Sequence, residues 1–397
     1  MTKIFPSDIL AQKISGEFMT KKYFYFQPQY VDKFKCDGSK CNAHCCSGWN
    51  IFIDEKTFAQ YPQEIAEHME FNSDKKEYRI VLDDKRRCPF LNKKCLCRIQ
   101  LKYGEKFLSQ TCATYPRVTC YFGGYWERSL TLSCPLAAKL ILFEREPMKF
   151  EFIEVPEKIH SPGGKIFTQS IQASDELKAH LTEIQVAMIS ILQERTLTIE
   201  QRLIVLGFFI DRLGEIFADD FDETALTKLI AAYESKKFLA EQVPLMLRSI
   251  SFDEKKFVRL MLELLKKVFA DEDSKFLTDA AETLKHMSDK KIFLSKYSGF
   301  LENYLINELF LNIVPFRFIG SLAQNFITFA AEYKLFELII FGLSLKGSSK
   351  KDLIEMVGWF TTRFDHNGEY KQKIFEHFDG KDDIFELMGS LLANTKL

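Results

Sequence analysis

Four thiols fall within the eleven residues CDGSKCNAHCC: Cys36, Cys41, Cys45 and Cys46. Six more follow at Cys88, Cys95, Cys97, Cys112, Cys120 and Cys134, and the last 263 residues hold none. Thiols at this density pair as disulfides, act as redox or nucleophilic groups, or hold a metal. Neighbours such as Cys45 and Cys46 can hardly bond to each other without strain. Disulfide frameworks belong to small chains that lack a core, whereas 397 residues at 46% hydrophobic composition bury an ample one. A redox dithiol prefers CxxC, which is missing, and the paired CxxC knuckles of zinc ribbons are missing with it. Cys41 and Cys45 are four apart and share one face of a helical turn. Cys88 and Cys134 each precede proline, as ferredoxin-type ligands do at the end of a loop. The pattern points to a metal, with an iron–sulfur cluster favoured over zinc. Inert buried thiols are the plain alternative, and confinement of all ten to a quarter of the chain argues against it.

The elements that must position these thiols are short and mixed. WNIFID and YRIVLDD alternate as strands do, and GGYWERSLTLSC reads as a turn followed by a strand. CPLAAKLILF opens a helix with Pro135 in its first turn. A break at Pro162, Gly163 and Gly164 then separates residues 1–160 from residues 165–397. Beyond it the pattern is helical. Thr198 and Gln201 have capping-box spacing, and apolar residues recur at helical intervals through Leu203–Leu213 and Phe257–Val268. Further helices are expected around FLENYLINELF, NFITFAAEYKLFELIIFGLSL and KKDLIEMVGWFTTRFDH. The predicted fold is mainly α: a small mixed α+β cysteine-rich metal-binding domain, then a larger all-helical domain whose stripes are core.

Composition narrows the function. A net charge of −1 argues against a nucleic-acid partner. Residues 1–160 carry 25 basic against 20 acidic side chains and the remainder 29 against 35, a mild polarity only. The N-terminus lacks a charged start followed by an apolar run, so no signal peptide is expected. The longest apolar runs fall far short of the ~20 residues a membrane span needs. A cytoplasmic location follows, where thiols stay reduced.

PQYVDKFKCDGSKCNAHCCSGWNIFID, CPFL, LCRIQ, CATYPR and LSCPLAAKL together resemble the flagellin lysine-N-methylase (FliB) family. They also resemble the wider group of zinc- or iron-chelating domains with a CxxCxxCC-type cysteine cluster. Weaker similarity continues through LENYLINELFLNIVPF and TTRFDHNGEY, so the resemblance covers nearly the whole chain. It implies metal ligation among Cys36, Cys41, Cys45, Cys46, Cys88, Cys97, Cys112 and Cys134, with Cys95 and Cys120 as extras. It further implies an enzyme that transfers methyl groups from S-adenosylmethionine to lysines of flagellin. An iron–sulfur cluster of the 4Fe-4S type is expected ahead of zinc. The residues themselves place no methyl-donor site, for there is no Gly-rich loop after a strand and no CxxxCxxC triplet.

Methylating lysine requires a neutral amine, so an ordinary pKa near ~10.4 must be overcome by desolvation and a proton acceptor. TYPRVTCYFGGYWERS is the aromatic and charged stretch nearest the thiols, and Tyr115, Tyr125 and Glu127 are its candidate catalytic groups. Strand-end packing and a surface Glu127–Arg128 pair are the plainer readings. Trp49 reads as a shield for a cluster and His44 as a bystander. In the helical half, Asn303, Asn307, Arg363 and His366 interrupt apolar helices, most simply as cross-links between them. Against the methyltransferase stand two alternatives: a non-enzymatic zinc- or iron-binding interaction module, and an iron–sulfur redox protein.

Overall fold

The structure is a computed structural model that describes residues 22–38, 41, 44–48, 50–73, 76–122, 125–156, 168–169, 175–218, 221–316, 320–366, 368–381 and 383–392. Trp49, the Pro162–Gly164 break and the side chain of His44 lie outside the described residues. The chain divides into two compact units. The first comprises Met1–Ile141, Met148–Ser170 and Ile354–Asn367, and the second Leu142–Pro147, Ile171–Leu353 and Gly368–Leu397.

Among the described residues the first unit has eight strands: β1 Lys22–Pro28, β2 Phe52–Ile53, β3 Met69–Asn72, β4 Glu77–Ile80, β5 Arg117–Tyr121, β6 Trp126–Leu130, β7 Phe150–Pro156 and β8 Thr168–Gln169. They form a five-stranded sheet in the order β7-β1-β6-β5-β8 and a three-stranded sheet in the order β2-β4-β3. Tyr25 of β1 stands opposite Ile153 in antiparallel β7 and opposite Trp126 in parallel β6. The expected strands at WNIFID, YRIVLDD and YWERSL correspond to β2, β4 and β6. Sequence periodicity misses β1 because KYFYFQP is aromatic on both faces. Tyr25 and Phe26 are both buried, and a strand covered on both sides shows no alternation. The short helices of this unit include α1 Arg98–Tyr103, α2 Gln110–Thr114 and α3 Pro135–Leu142, the last with proline at its first position.

The second unit is helical, as its periodicity predicts. In helix Ile199–Ala218 the Gln201 N–H donates to Thr198 Oγ1 at 3.2 Å and the Thr198 N–H to Gln201 Oε1 at 2.9 Å, closing the capping box. Glu254–Val268 buries Phe257, Met261, Leu264, Leu265 and Val268 on one face. Helix Lys290–Leu311 is covered on every side over its C-terminal half, from Phe300, and Leu322–Leu345 over its central turns, and their polarity follows no stripe. Charge inside this core is paired. Lys290 Nζ lies 3.0 Å from both Glu200 and Glu337, and Lys334 pairs with Glu337. Buried Glu302 accepts from Arg202 at 2.8 Å and from Arg195 at 2.8 Å. Asn303 donates to the Glu144 carbonyl at 2.9 Å and Asn307 to the neighbouring Glu308 at 3.4 Å. No helix among the described residues is long and apolar enough to cross a membrane.

Candidate functional site

Nine cysteines scattered over a hundred residues line one cavity of about 550 Å³ in the first unit; only Cys120 is not among its lining residues. Local backbone geometry brings each sulfur there. Gly38, at φ 55°, turns the chain so that its N–H donates to Cys36 Sγ at 3.4 Å and its carbonyl accepts from the Cys41 N–H at 3.2 Å. Cys45 and Cys46 sit in a single 3-10 turn with their sulfurs 3.6 Å apart. The Cys88 N–H donates to the Cys46 carbonyl at 2.7 Å, tying the second thiol stretch to the first. Cys97 occupies the N-cap of α1, and the Ser109 hydroxyl accepts the Cys112 N–H at 3.1 Å in the first turn of α2. Cys134 stands immediately before α3, where the N–H groups of Leu136 and Ala137 reach its sulfur. The extra cysteines are placed differently. Cys95 lines the cavity at φ 57° and its sulfur accepts from Arg87 at 3.5 Å. Cys120 is buried within β5 opposite Glu127.

The thiols gather in two neighbourhoods. Cys88 belongs to an apolar core with Tyr61, Phe90 and Ile99, and Cys46, Cys97 and Cys112 pack against it. Burial pushes the Cys88 thiol up to about 12, opposed by the Phe90 N–H and reinforced by Cys112, Cys97 and Cys45. Around Tyr115 and Arg117 lie the others: Tyr115 feels Cys134, Cys45 and Cys41, and Arg117 feels Cys36 and Cys134. Burial pushes Cys134 up to about 11. Cys46 is raised by its contact with Cys45 first and by burial next, while Cys45 is lowered by the same contact. The raised thiols, Cys46, Cys88 and Cys134, keep their protons more tightly than a free thiol until a cation draws them off. Soft thiolate donors of this sort can hold zinc or iron–sulfur centres.

Tyr115 is the candidate catalytic group that lines the cavity. Its hydroxyl is 3.1 Å from Ser133 Oγ, which is 2.7 Å from His366 Nε2. Thr131 Oγ1 lies 3.0 Å from Ser133 Oγ and donates to Asp365 at 3.2 Å. Burial, then the Cys134 charge, holds the Tyr115 phenol well above its ordinary range. His366 thus belongs to the thiol-bearing unit. The sequence singles out Tyr115 and His366 of this network for their chemistry and gives no signal for Asp365 or for the turn just after β6 that holds Thr131 and Ser133.

Tyr125 and Glu127 do not line the cavity; both are buried on the sheet, 3.5 Å apart. The surface reading of Glu127–Arg128 is overturned. Arg128 is buried, donates to Gln27 Oε1 at 2.7 and 2.9 Å, and lies 4.6 Å above the Tyr25 ring. β6 is buried on both faces from Glu127 to Leu130, so the pair has no surface on which to lie. Arg363 also serves packing, with its guanidinium 4.0 Å above the Trp359 ring.

Residues 185–392 match the family model of the FliB lysine N-methylase C-terminal domain. The lysine-N-methylase of Salmonella typhimurium is 30% identical over 135 residues, covering 31% of this chain and 33% of that protein. The flagellar biosynthetic protein FliU of Salmonella muenchen is 32% identical over 136 residues, covering 31% of this chain and 79% of FliU. The aligned stretch thus spans about a third of the length of the lysine-N-methylase relative. No solved structure matches the chain.

Proposed function

Because the chain belongs to the FliB lysine N-methylase family, we propose that it is a protein-lysine N-methyltransferase that uses S-adenosylmethionine to modify flagellin in the bacterial cytoplasm. The observation that carries the reading is the family match across residues 185–392, most of the helical unit.

The thiol cavity supports a resident metal centre. Its donors suit one, since soft sulfurs from four separate stretches line the same cavity and several receive backbone N–H groups. A structural zinc site closes tightly on its ion with four ligands. A lining of nine cysteines around about 550 Å³ suits a bulkier guest, and four thiolates are what a 4Fe-4S cluster takes. Cys36, Cys41, Cys45, Cys46, Cys88, Cys97, Cys112 and Cys134 are the proposed ligand pool. When bound, the cluster would supply a cross-link between distant loops, a structural role; methyl transfer itself exchanges no electron.

The lysine nitrogen attacks the methyl carbon of S-adenosylmethionine in line, the N–C bond forming as the C–S bond breaks and S-adenosylhomocysteine leaves. The amine must therefore arrive uncharged, and the methylated nitrogen then gives up a proton to solvent. Tyr115 is the residue proposed to meet it, because its hydroxyl is held by Ser133 and Ser133 by His366. An oriented hydroxyl in a partly apolar wall both desolvates the amine and fixes its lone pair. The test is methyl incorporation into purified flagellin by the metal-replete full chain supplied with S-adenosylmethionine, read by mass spectrometry of lysine peptides. A folded, metal-replete chain that binds flagellin and leaves every lysine unmodified would refute the enzyme and support an interaction module.

A further inference from the structure

Resting on the metal reading proposed above, we infer that the eight thiols form two separate four-thiolate centres side by side, divided between the adjacent Cys45 and Cys46. Cys46, Cys88, Cys97 and Cys112 share one apolar core beneath Tyr61. Cys36, Cys41, Cys45 and Cys134 are not members of that core and line the cavity together with Tyr115 and Arg117. Each set numbers four, the complement of one iron–sulfur or zinc centre. A single centre would use four of the nine thiols that line the cavity and leave the other five as inert hydrophobes.

Backbone donors argue against inert thiols in either set. The Phe90 N–H points to the Cys88 sulfur in the first. In the second, the Gly38 N–H points to Cys36 and the opening turn of α3 to Cys134. An N–H aimed at sulfur is worth most when the sulfur is a thiolate, and each set has such donors of its own. Adjacent residues in one 3-10 turn diverge, so Cys45 and Cys46 can serve different centres while their sulfurs remain 3.6 Å apart. The centres are therefore neighbours, and unpaired spins on both would interact magnetically.

The test uses the full chain purified and reconstituted without oxygen, assayed for iron, zinc and acid-labile sulfide, with circular dichroism to confirm folding. Two centres give about eight iron and eight sulfide per chain, or about two zinc. About four iron or one zinc overturns the inference while leaving the single-centre reading intact, whereas a metal-free chain overturns both. Two variants report on the partition, Cys97→Ser in the first set and Cys36→Ser in the second. Each is expected to halve the metal and to replace the broadened, spin-coupled resonance of the reduced protein with a simple one. Loss of all metal from a folded variant would mean that the thiols form one centre. Should either variant fail to fold, the metal content of the unaltered chain still decides.

Discussion

Replacing Cys88 with serine tests whether the thiols hold the first unit together through a metal. Cys88 is buried, anchors its backbone to Cys46 at 2.7 Å, and lies in the core with Tyr61 and Phe90. Four-thiolate binding contributes roughly 10–16 kcal/mol to folding in small metal domains, so one ligand of four is worth about 3 kcal/mol. The serine hydroxyl left in an apolar pocket costs about 1–3 kcal/mol more. The expected destabilisation is therefore about 4–6 kcal/mol, or roughly 10–20 °C in melting temperature for a unit of this size. Cys120→Ser is the control. It is equally buried, in β5, so it should lose about 1–3 kcal/mol to the hydroxyl alone and keep its metal. Calorimetry with and without a chelator separates the two terms. With metal removed, Cys88→Ser and the unaltered chain should melt within a few degrees of each other, because only the small hydroxyl term remains. Cys120→Ser should keep its deficit in both conditions. Equal metal content and an unchanged transition for Cys88→Ser would refute the reasoning.

Three further outcomes are expected. Tyr115→Phe should slow flagellin methylation by roughly 10- to 100-fold with metal content unchanged, and His366→Ala should slow it less; undiminished turnover in both would remove Tyr115 from the reaction. Glu302→Ala leaves the buried Arg202 without its carboxylate and should cost about 3–5 kcal/mol, checked by urea unfolding of the helical unit. Burial alone would raise the Glu200 carboxyl, but Lys290 and Lys334 overcome it and hold it down at about 2. A depressed carboxylate stabilises the fold above the unfolded pKa of about 4.3 and loses that contribution as pH falls through about 2. The melting temperature should therefore be level from pH 7 to 5 and fall below that, with a shallower fall in Glu200→Gln; identical acid profiles for the two proteins would contradict the pairing.

The helical unit is legible from sequence because its signals are local. Thr198 and Gln201 announce a cap three residues apart, and Phe257, Met261 and Leu264 mark a face within two turns. The exceptions are Lys290, Lys334, Glu200 and Glu337, charged residues that read as surface and are buried because they neutralise one another across three helices. The first unit is less legible. Its sheet joins β1 to β6 and β7 across a hundred residues, a pairing that no window of sequence contains. Tyr115 could be chosen for its chemistry, but its link through Ser133 to His366, 233 residues beyond Ser133, could not.

The cysteine positions repeat that contrast at the site itself. Their types point to a metal, but spacing alone cannot divide them, since Cys45 and Cys46 are neighbours in sequence and face different surroundings. The physical reason lies in how little apolar material surrounds them. The core under the thiols is built from Ile51, Ile53, Tyr61, Ile65, Ile80, Phe90, Ile99 and Leu108, with Cys88 itself. The strands supporting it run only two to four residues. A core of that size scarcely offsets the entropy of ordering the loops around it. The helical unit, with long helices buried along their central turns, has no such deficit and no cysteine. On the proposed reading the metal lies where hydrophobic burial is weakest, so chelation should loosen the thiol-bearing loops and the small sheet of the first unit before it disturbs the second. Hydrogen exchange resolved by peptide checks this. Faster exchange in β2–β4, α1 and α2 on chelation, with Ile199–Ala218 and Leu322–Leu345 unchanged, is the expected result; uniform loss of protection in both units would show that the metal stabilises the whole chain.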